Sequence, residues 1–306
     1  MIKKKNIIID TDPGIDDAVA LVIAMCHEEI DLKLITTVSG NVSVDKTTKN
    51  ALKLVEFLDK NIPVAKGAVK PLIRELEDAS DIHGNSGLDG YDFYEPKRNI
   101  ESRHAVEEMR DIILNNKEPI TLVPIAPLTN IALLLSLYPE CKNNIEKIVL
   151  MGGSASGGNH TPAAEFNIFV DPEAAKIVFK SEIDIVMCGL DVTNKAVLTS
   201  EDVEEIKSLN KTGNMLYSLF QHYRSGDLKT GLKMHDSCAI AYLLRPDLFK
   251  TKSCYVDVET SGRYTSGFTI VDFNGYYGEK NNANICLDID VEKFRMWLID
   301  ALKRAI

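Results

Sequence analysis

Four carboxylates fall within eight residues in the stretch Asp10-Thr11-Asp12-Pro13-Gly14-Ile15-Asp16-Asp17. Carboxylates this close repel one another unless a cation neutralises them. The set is all oxygen, with no His or Cys beside it, and such donors suit a hard ion, Ca²⁺ or Mg²⁺. It is not an EF-hand, whose loop closes on a Glu at its twelfth position, because the twelfth residue from Asp10 is Leu21. A second reading of the same residues is structural: one or two of the aspartates cap the helix that follows and hold the turn.

The elements around this stretch must put it somewhere useful. Short β-branched runs alternate with longer segments of helical period, the pattern of parallel strands joined by crossover helices, so the fold class is α/β with a central, mostly parallel sheet flanked by helices. Strands are predicted over 6–10, 32–38, 120–124, 148–151 and 183–187, each nearly all apolar and therefore central, covered on both faces. After Asp10, the spacing of Ile15, Ala18, Val19, Val22, Ile23 and Cys26 predicts a helix with one apolar face on the sheet. Further helices are predicted over 44–58, 104–114, 128–137, 172–179 and 203–209, with a last one behind Asp290 as N-cap. Between Cys254 and Asp290 the residues alternate, which predicts strands that leave the parallel pattern. The aspartate cluster then lies at the C-terminal end of the first strand, where ligands bind in open α/β sheets.

With 306 residues, 45% apolar and 26% charged, and no linker-like stretch, the chain reads as one domain over 1–306. A net charge of −10 and a pI near 5.2 argue against nucleic acid as a partner. The basic start, Met1-Ile2-Lys3-Lys4-Lys5, precedes an apolar run that stops at Asp10, and no 18-residue apolar run follows, so neither export nor a membrane is expected and the cytoplasm is the expected location. Six cysteines lie far apart without a CxxC pair and read as buried, reduced thiols, with no support for zinc.

Asp10 and Asp12-Pro13-Gly14-Ile15-Asp16-Asp17 together resemble the N-terminal signature of the inosine-uridine-preferring nucleoside hydrolase family. The resemblance continues in order through Ser39-Gly40-Asn41-Val42, His83-Gly84-Asn85-Ser86-Gly87-Leu88-Asp89-Gly90 and Pro127-Leu128-Thr129-Asn130. It extends through Met151-Gly152-Gly153, Gly158-Asn159, Glu165-Phe166-Asn167-Ile168, Asp171-Pro172-Glu173-Ala174-Ala175 and Met234-His235-Asp236. It covers nearly the whole chain.

The resemblance implies one Ca²⁺ held by Asp12, Asp17, Asp236 and the backbone carbonyl of Ile125. It implies that Asp12 also takes a proton from the metal-bound water that attacks the anomeric carbon; Ca²⁺ acidifies water weakly, so a carboxylate base beside it is chemically reasonable. Asp16 and Asn167 would face the 2′ and 3′ hydroxyls of a ribose, Asn159 and Glu165 the 5′ hydroxyl, and Asn41 would join the sugar contacts. Such groups stabilise the positive charge of an oxocarbenium-like state. Asp10 would support the site from behind Asp12.

His235 matches the family's leaving-group histidine, with orientation of Asp236 as its other possible task. His83 would line the base pocket, a feature of pyrimidine-preferring and broad-specificity members, whereas purine-specific members stack the base on tryptophans. Trp297, the single tryptophan, falls in the C-terminal helix and reads as core. Phe166 and Met151 supply apolar walls. The segment from Phe220 to Arg224 resembles the helix and mobile loop that cover the base, with Gln221, His222 and Tyr223 as candidates and Tyr223 preferred. The stretch 226–231 reads either as a flexible lid or as an ordinary surface loop.

Two other readings compete. A phosphatase with a phosphoaspartate would use Asp10-Thr11-Asp12, but Pro13-Gly14 followed by Asp16-Asp17 does not suit it. A Ca²⁺-dependent nucleoside-binding protein without turnover would have lost a base, ligand or leaving-group residue, and Asp12, Asp17, His83, His235 and Asp236 are all present. The resemblance therefore implies a ribonucleoside N-ribohydrolase for uridine, cytidine and inosine, working by direct attack of water on a small-molecule substrate. The resemblance also implies a homodimer or homotetramer.

Overall fold

The computed structural model describes residues 3–223 and 231–306, apart from the side chain of His83. The strands are β1 (Lys5–Thr11), β2 (Ile30–Thr37), β3 (Val64–Lys66), β4 (Ile120–Pro124), β5 (Ile145–Met151), β6 (Ile185–Cys188), β7 (Val197–Leu198), β8 (Leu232–Lys233), β9 (Phe249–Val258), β10 (Thr269–Asp272) and β11 (Ala283–Ile289). The helices are α1 (Ile15–Cys26), α2 (Val44–Phe57), α3 (Ser80–His83), α4 (Ala105–Asn115), α5 (Thr129–Leu137), α6 (Phe166–Val170), α7 (Pro172–Phe179), α8 (Leu190–Thr193), α9 (Ser200–Leu209), α10 (Lys211–Phe220), α11 (Ser237–Leu244) and α12 (Val291–Leu302).

Nine strands form one sheet in the order β10-β9-β11-β6-β5-β4-β1-β2-β3. From β11 to β3 neighbouring strands are parallel. β9 is antiparallel to both β11 and β10. The strands expected to leave the parallel pattern after Cys254 are found where β9 pairs antiparallel with β10 and β11, and β11 also joins the parallel set beside β6.

Side chains of a strand alternate between faces, and β1 shows what that does here. Ile7 and Ile9 enter one apolar core and Ile8 enters a second on the opposite face. β5 and β6 divide in the same way, Val149 and Val186 to the first core, Ile148 and Ile185 to the second. This two-sided burial is why these strands read as unbroken apolar runs.

α1 differs from its prediction. All of its residues except Cys26 are buried, because α2, α10, α11 and α12 cover the side turned away from the sheet. Its sequence, IDDAVALVIAMC, is apolar nearly all round, as a helix enclosed on every side must be. Asp290 caps α12, accepting from the Lys293 N–H, and Trp297 is buried against Phe294. The six cysteines are free thiols, and no helix among the described residues is long and apolar enough to cross a membrane.

Candidate active site

β1 delivers the aspartate cluster to its C-terminal end, and the turn into α1 fixes it there. The Thr11 hydroxyl donates to Asp17 Oδ1 at 2.5 Å and the Gly14 N–H to Asp17 Oδ2 at 3.0 Å, so Asp17 does hold the turn, as the structural reading of the cluster required. Asp16, Asp17 and Asp236, the last at the start of α11, bring carboxylate oxygens within 4.8 Å of one another. Asp12 stands outside this trio. Its Oδ2 accepts from the Asn41 N–H at 2.7 Å, while the Asn41 amide donates to the Asp12 carbonyl at 3.1 Å and to Asp17 at 3.2 Å.

Burial, reinforced by the neighbouring Asp17, pushes the Asp12 carboxyl well above the usual carboxylate range. Burial followed by Asp16, Asp17 and Asp12 does the same to Asp236. Burial also raises Asp17, against the hydrogen bonds from Thr11 and Gly14. Buried carboxylates that oppose one another's ionisation form a donor set a hard cation would satisfy. The Ile125 carbonyl, expected as a further ligand, receives a long 3.4 Å contact from the Asn167 amide among the described residues, and a carbonyl has a second lone pair to offer. The donors present therefore fit Ca²⁺ or Mg²⁺. Asp10 lies behind this floor rather than in it: Thr36 donates to it at 2.6 Å and Asn130 at 2.8 Å, and burial still raises it to about 7.

The segment after β5 builds the next wall. Glu165 is the N-cap of α6, accepting from the N–H groups of Asn167 at 3.0 Å, Ile168 at 3.1 Å and Gly153 at 2.9 Å. Burial lifts its carboxyl to about 7 even so. The Asn167 amide donates to the Met151 carbonyl at 3.2 Å, and Asn159 Oδ1 accepts the Phe166 N–H at 3.0 Å. On the far side, His235 is buried, with Nδ1 2.8 Å from the Thr193 hydroxyl.

These groups face one cleft of about 600 Å³, a size suited to a small organic ligand. Asp12, Asp16, Asn41, Ile125, Met151, Asn159, Glu165, Phe166, Asn167, Tyr223, His235 and Asp236 all line it. Asp17 and Asp10 sit beneath the lining. Of the three candidates near the end of α10, Tyr223 is buried and faces the cleft, whereas Gln221 and His222 are exposed. The His83 side chain and residues 224–230, including most of the predicted lid, lie outside the described residues.

Sequence reasoning missed four parts of the site. Asp78 to Ile82 form one rim, and His160 another, its ring 4.5 Å from that of Phe169 and its Nε2 3.4 Å from Glu77. Thr193 reaches His235 from the end of α8. Asn130 joins Asp10 to the Thr37 carbonyl at 3.0 Å and to the Ala68 N–H at 2.9 Å. Asn130 stood within a quoted motif and Thr193 just after a strand end; those were the available signals.

Comparison with known proteins agrees with this geometry. Residues 7–296 match the inosine-uridine preferring nucleoside hydrolase family. The chain is 57% identical over 295 residues to a non-specific ribonucleoside hydrolase of Salmonella agona (strain SL483), covering 96% of both chains. The structure of a purine-preferring ribonucleoside hydrolase from Gardnerella vaginalis superposes with a TM-score of 0.91 at 31% identity, covering 98% of each chain. That of an inosine-guanosine nucleoside hydrolase does so with 0.92 at 30% identity, again over 98% of each. Matched by the family over residues 7–296 and by a relative 57% identical over 96% of its length, the chain belongs to the inosine-uridine preferring nucleoside hydrolase family.

Proposed function

We propose that the protein hydrolyses the N-glycosidic bond of ribonucleosides to ribose and free base, with Ca²⁺ as its metal and uridine, cytidine and inosine among its substrates. The observation that carries this is the convergence of Asp12, Asp16, Glu165, Asn167, His235 and Asp236 on one cleft at the strand ends. Asp12, Asp17, Asp236 and the Ile125 carbonyl would hold the ion, Asp12 turning its carboxylate toward the oxygens that Asp16, Asp17 and Asp236 already bring within 4.8 Å of one another. Once bound, Ca²⁺ offsets the repulsion of the carboxylates and eases loss of a proton from water beside it.

The chain's own groups do the rest. Asp12 accepts the proton of the attacking water. Asp16 and Asn167 hold the 2′ and 3′ hydroxyls, with Asn41 beside them, and Asn159 and Glu165 take the 5′ hydroxyl. As the bond between sugar and base breaks, its electron pair leaves with the base and His235 supplies a proton or hydrogen bond to it. The carboxylates beneath the sugar stabilise the charge that develops there. Met151, Phe166 and Tyr223 form walls for the substrate, with His83 assigned to the base end. Broad base acceptance is supported by the non-specific name of the Salmonella relative and by the burial of Trp297 away from the cleft.

The test is release of base and reducing sugar from uridine, cytidine, inosine and adenosine, before chelation, after it, and after Ca²⁺ is restored. Hydrolysis that disappears with the chelator and returns with Ca²⁺ supports the proposal. No release from any of the four by the Ca²⁺-loaded protein overturns it in favour of a nucleoside-binding protein without turnover.

A further inference from the structure

The leaving-group histidine is held by a device that begins two strands away. Thr193 closes the one-turn helix α8 at the end of β6, and both its hydroxyl and His235 Nδ1 are buried, 2.8 Å apart. Two sets of contacts fix this distance. On the His235 side, β7 and β8 pair Val197 with Lys233 and Leu198 with Leu232, and the Met234 N–H donates to the Ala196 carbonyl at 2.8 Å. This minimal ladder sets the residues after Thr193 against those before His235, so the register of two short strands places hydroxyl opposite imidazole. On the Thr193 side, the Leu190 N–H donates to the Gly153 carbonyl at 2.9 Å, and Asp191 accepts from the Ala155 N–H and the Ser156 hydroxyl, both at 2.7 Å. A Cβ on Gly189 would come within 2.7 Å of that same Gly153 carbonyl, so glycine is what lets the start of α8 lie this close to the β5 loop. Gly153 in turn donates to Glu165, at the proposed 5′ end of the sugar.

We propose that Thr193 is a positioning residue for the reaction, aiming the His235 ring at the departing base by engaging Nδ1. With Nδ1 on Thr193, contact with the base falls to Nε2 on the opposite side of the ring, and the identity of the nitrogen engaged by a neighbour decides which nitrogen does chemistry. The inference rests on the proposed role of His235. It adds that α8 and the β7–β8 ladder exist to hold that ring, tying the leaving-group end of the cleft to its sugar end through Gly153.

The experiment compares uridine, whose base leaves poorly, with 4-nitrophenyl β-D-ribofuranoside, whose leaving group needs no proton. Thr193→Val keeps the shape of the side chain and removes the hydroxyl. It should lower kcat on uridine by roughly 10–100-fold, the usual effect of losing a partner that orients a functional side chain, and leave the aryl riboside within about threefold of wild type. Thr193→Ser should recover most of the loss. In a His235→Ala background, Thr193→Val should have no further effect on uridine. Equal losses on both substrates, no loss on uridine, or a full additional loss in the His235→Ala background would each overturn the proposal. Failure of the wild-type protein to cleave either substrate would instead overturn the hydrolase reading beneath it.

Discussion

Gly40 presses its bare Cα against the Asp12 carboxylate: a Cβ there would lie 2.0 Å from Asp12 Oδ2 and 2.9 Å from Pro127 Cδ. The same Asp12 oxygen is drawn in by the N–H of the next residue, Asn41. Gly40→Ala should therefore displace Asp12 while leaving the distant cores untouched. A misplacement of about 1 Å at reacting groups costs on the order of 100-fold in rate, so kcat should fall by about that factor with an unchanged far-ultraviolet circular dichroism spectrum. A kcat near wild type would show that Asp12 need not stay where Gly40 allows it.

Asp12→Asn removes the proposed base. Positioned acid-base groups contribute roughly 10²–10⁴-fold, and kcat should fall within that range. The same substitution should raise the melting temperature of the chelated protein, because burial and Asp17 disfavour the ionised carboxylate that Asn replaces. Steady-state kinetics and a thermal melt in chelator check the two halves separately.

His235→Ala should slow uridine far more than 4-nitrophenyl β-D-ribofuranoside, since only the former needs help at its leaving base. Equal losses on the two substrates would assign His235 to the placement of Asp236, its neighbour in the chain, and not to the base.

Asp10 and Glu165 are both lifted to about 7 by burial, from ordinary values of 3.8 and 4.5. Their neutral forms are favoured in the folded chain, so the stability they contribute is fully present below about pH 4 and lost as the pH rises through about 7. Asp12 and Asp236, also raised, act in the same direction. The chelated protein should thus melt at a lower temperature at pH 8 than at pH 6. Saturating Ca²⁺ should raise the melting temperature most at pH 8, through binding to the folded state alone. A melting temperature independent of pH in chelator would contradict the burial of these groups.

Much of this architecture was legible before any coordinates. The runs at Ile7 and Ile120 announced central strands because both of their faces are buried, and the resemblance placed twelve residues that do line one cleft. What stayed hidden depends on neighbours far apart in the chain. Nothing local to Thr193 marks it as the partner of His235, and a ladder of two residues per strand has no periodicity to read. No spacing shows that Asp16 brings its oxygens nearest those of Asp17 and Asp236 while the Asp12 carboxylate is engaged by the Asn41 N–H from the loop after β2. β11 does pair antiparallel with β9, but it also has a parallel partner, β6, about a hundred residues earlier, which no local pattern in β11 reveals.

The floor of the cleft is made of strand ends locked between two cores, whereas one of its walls, Asp78 to Ile82, belongs to no strand of the sheet. Ile82 in that wall packs against the first core and the Ala79 N–H donates to the Asn41 carbonyl at 3.0 Å, whereas Asp78 and Asp81 are exposed, so changes at these two disturb little beyond the wall itself. The rim of the cleft can therefore be reshaped at Asp78 and Asp81 while the strand ends that carry the aspartates keep their place.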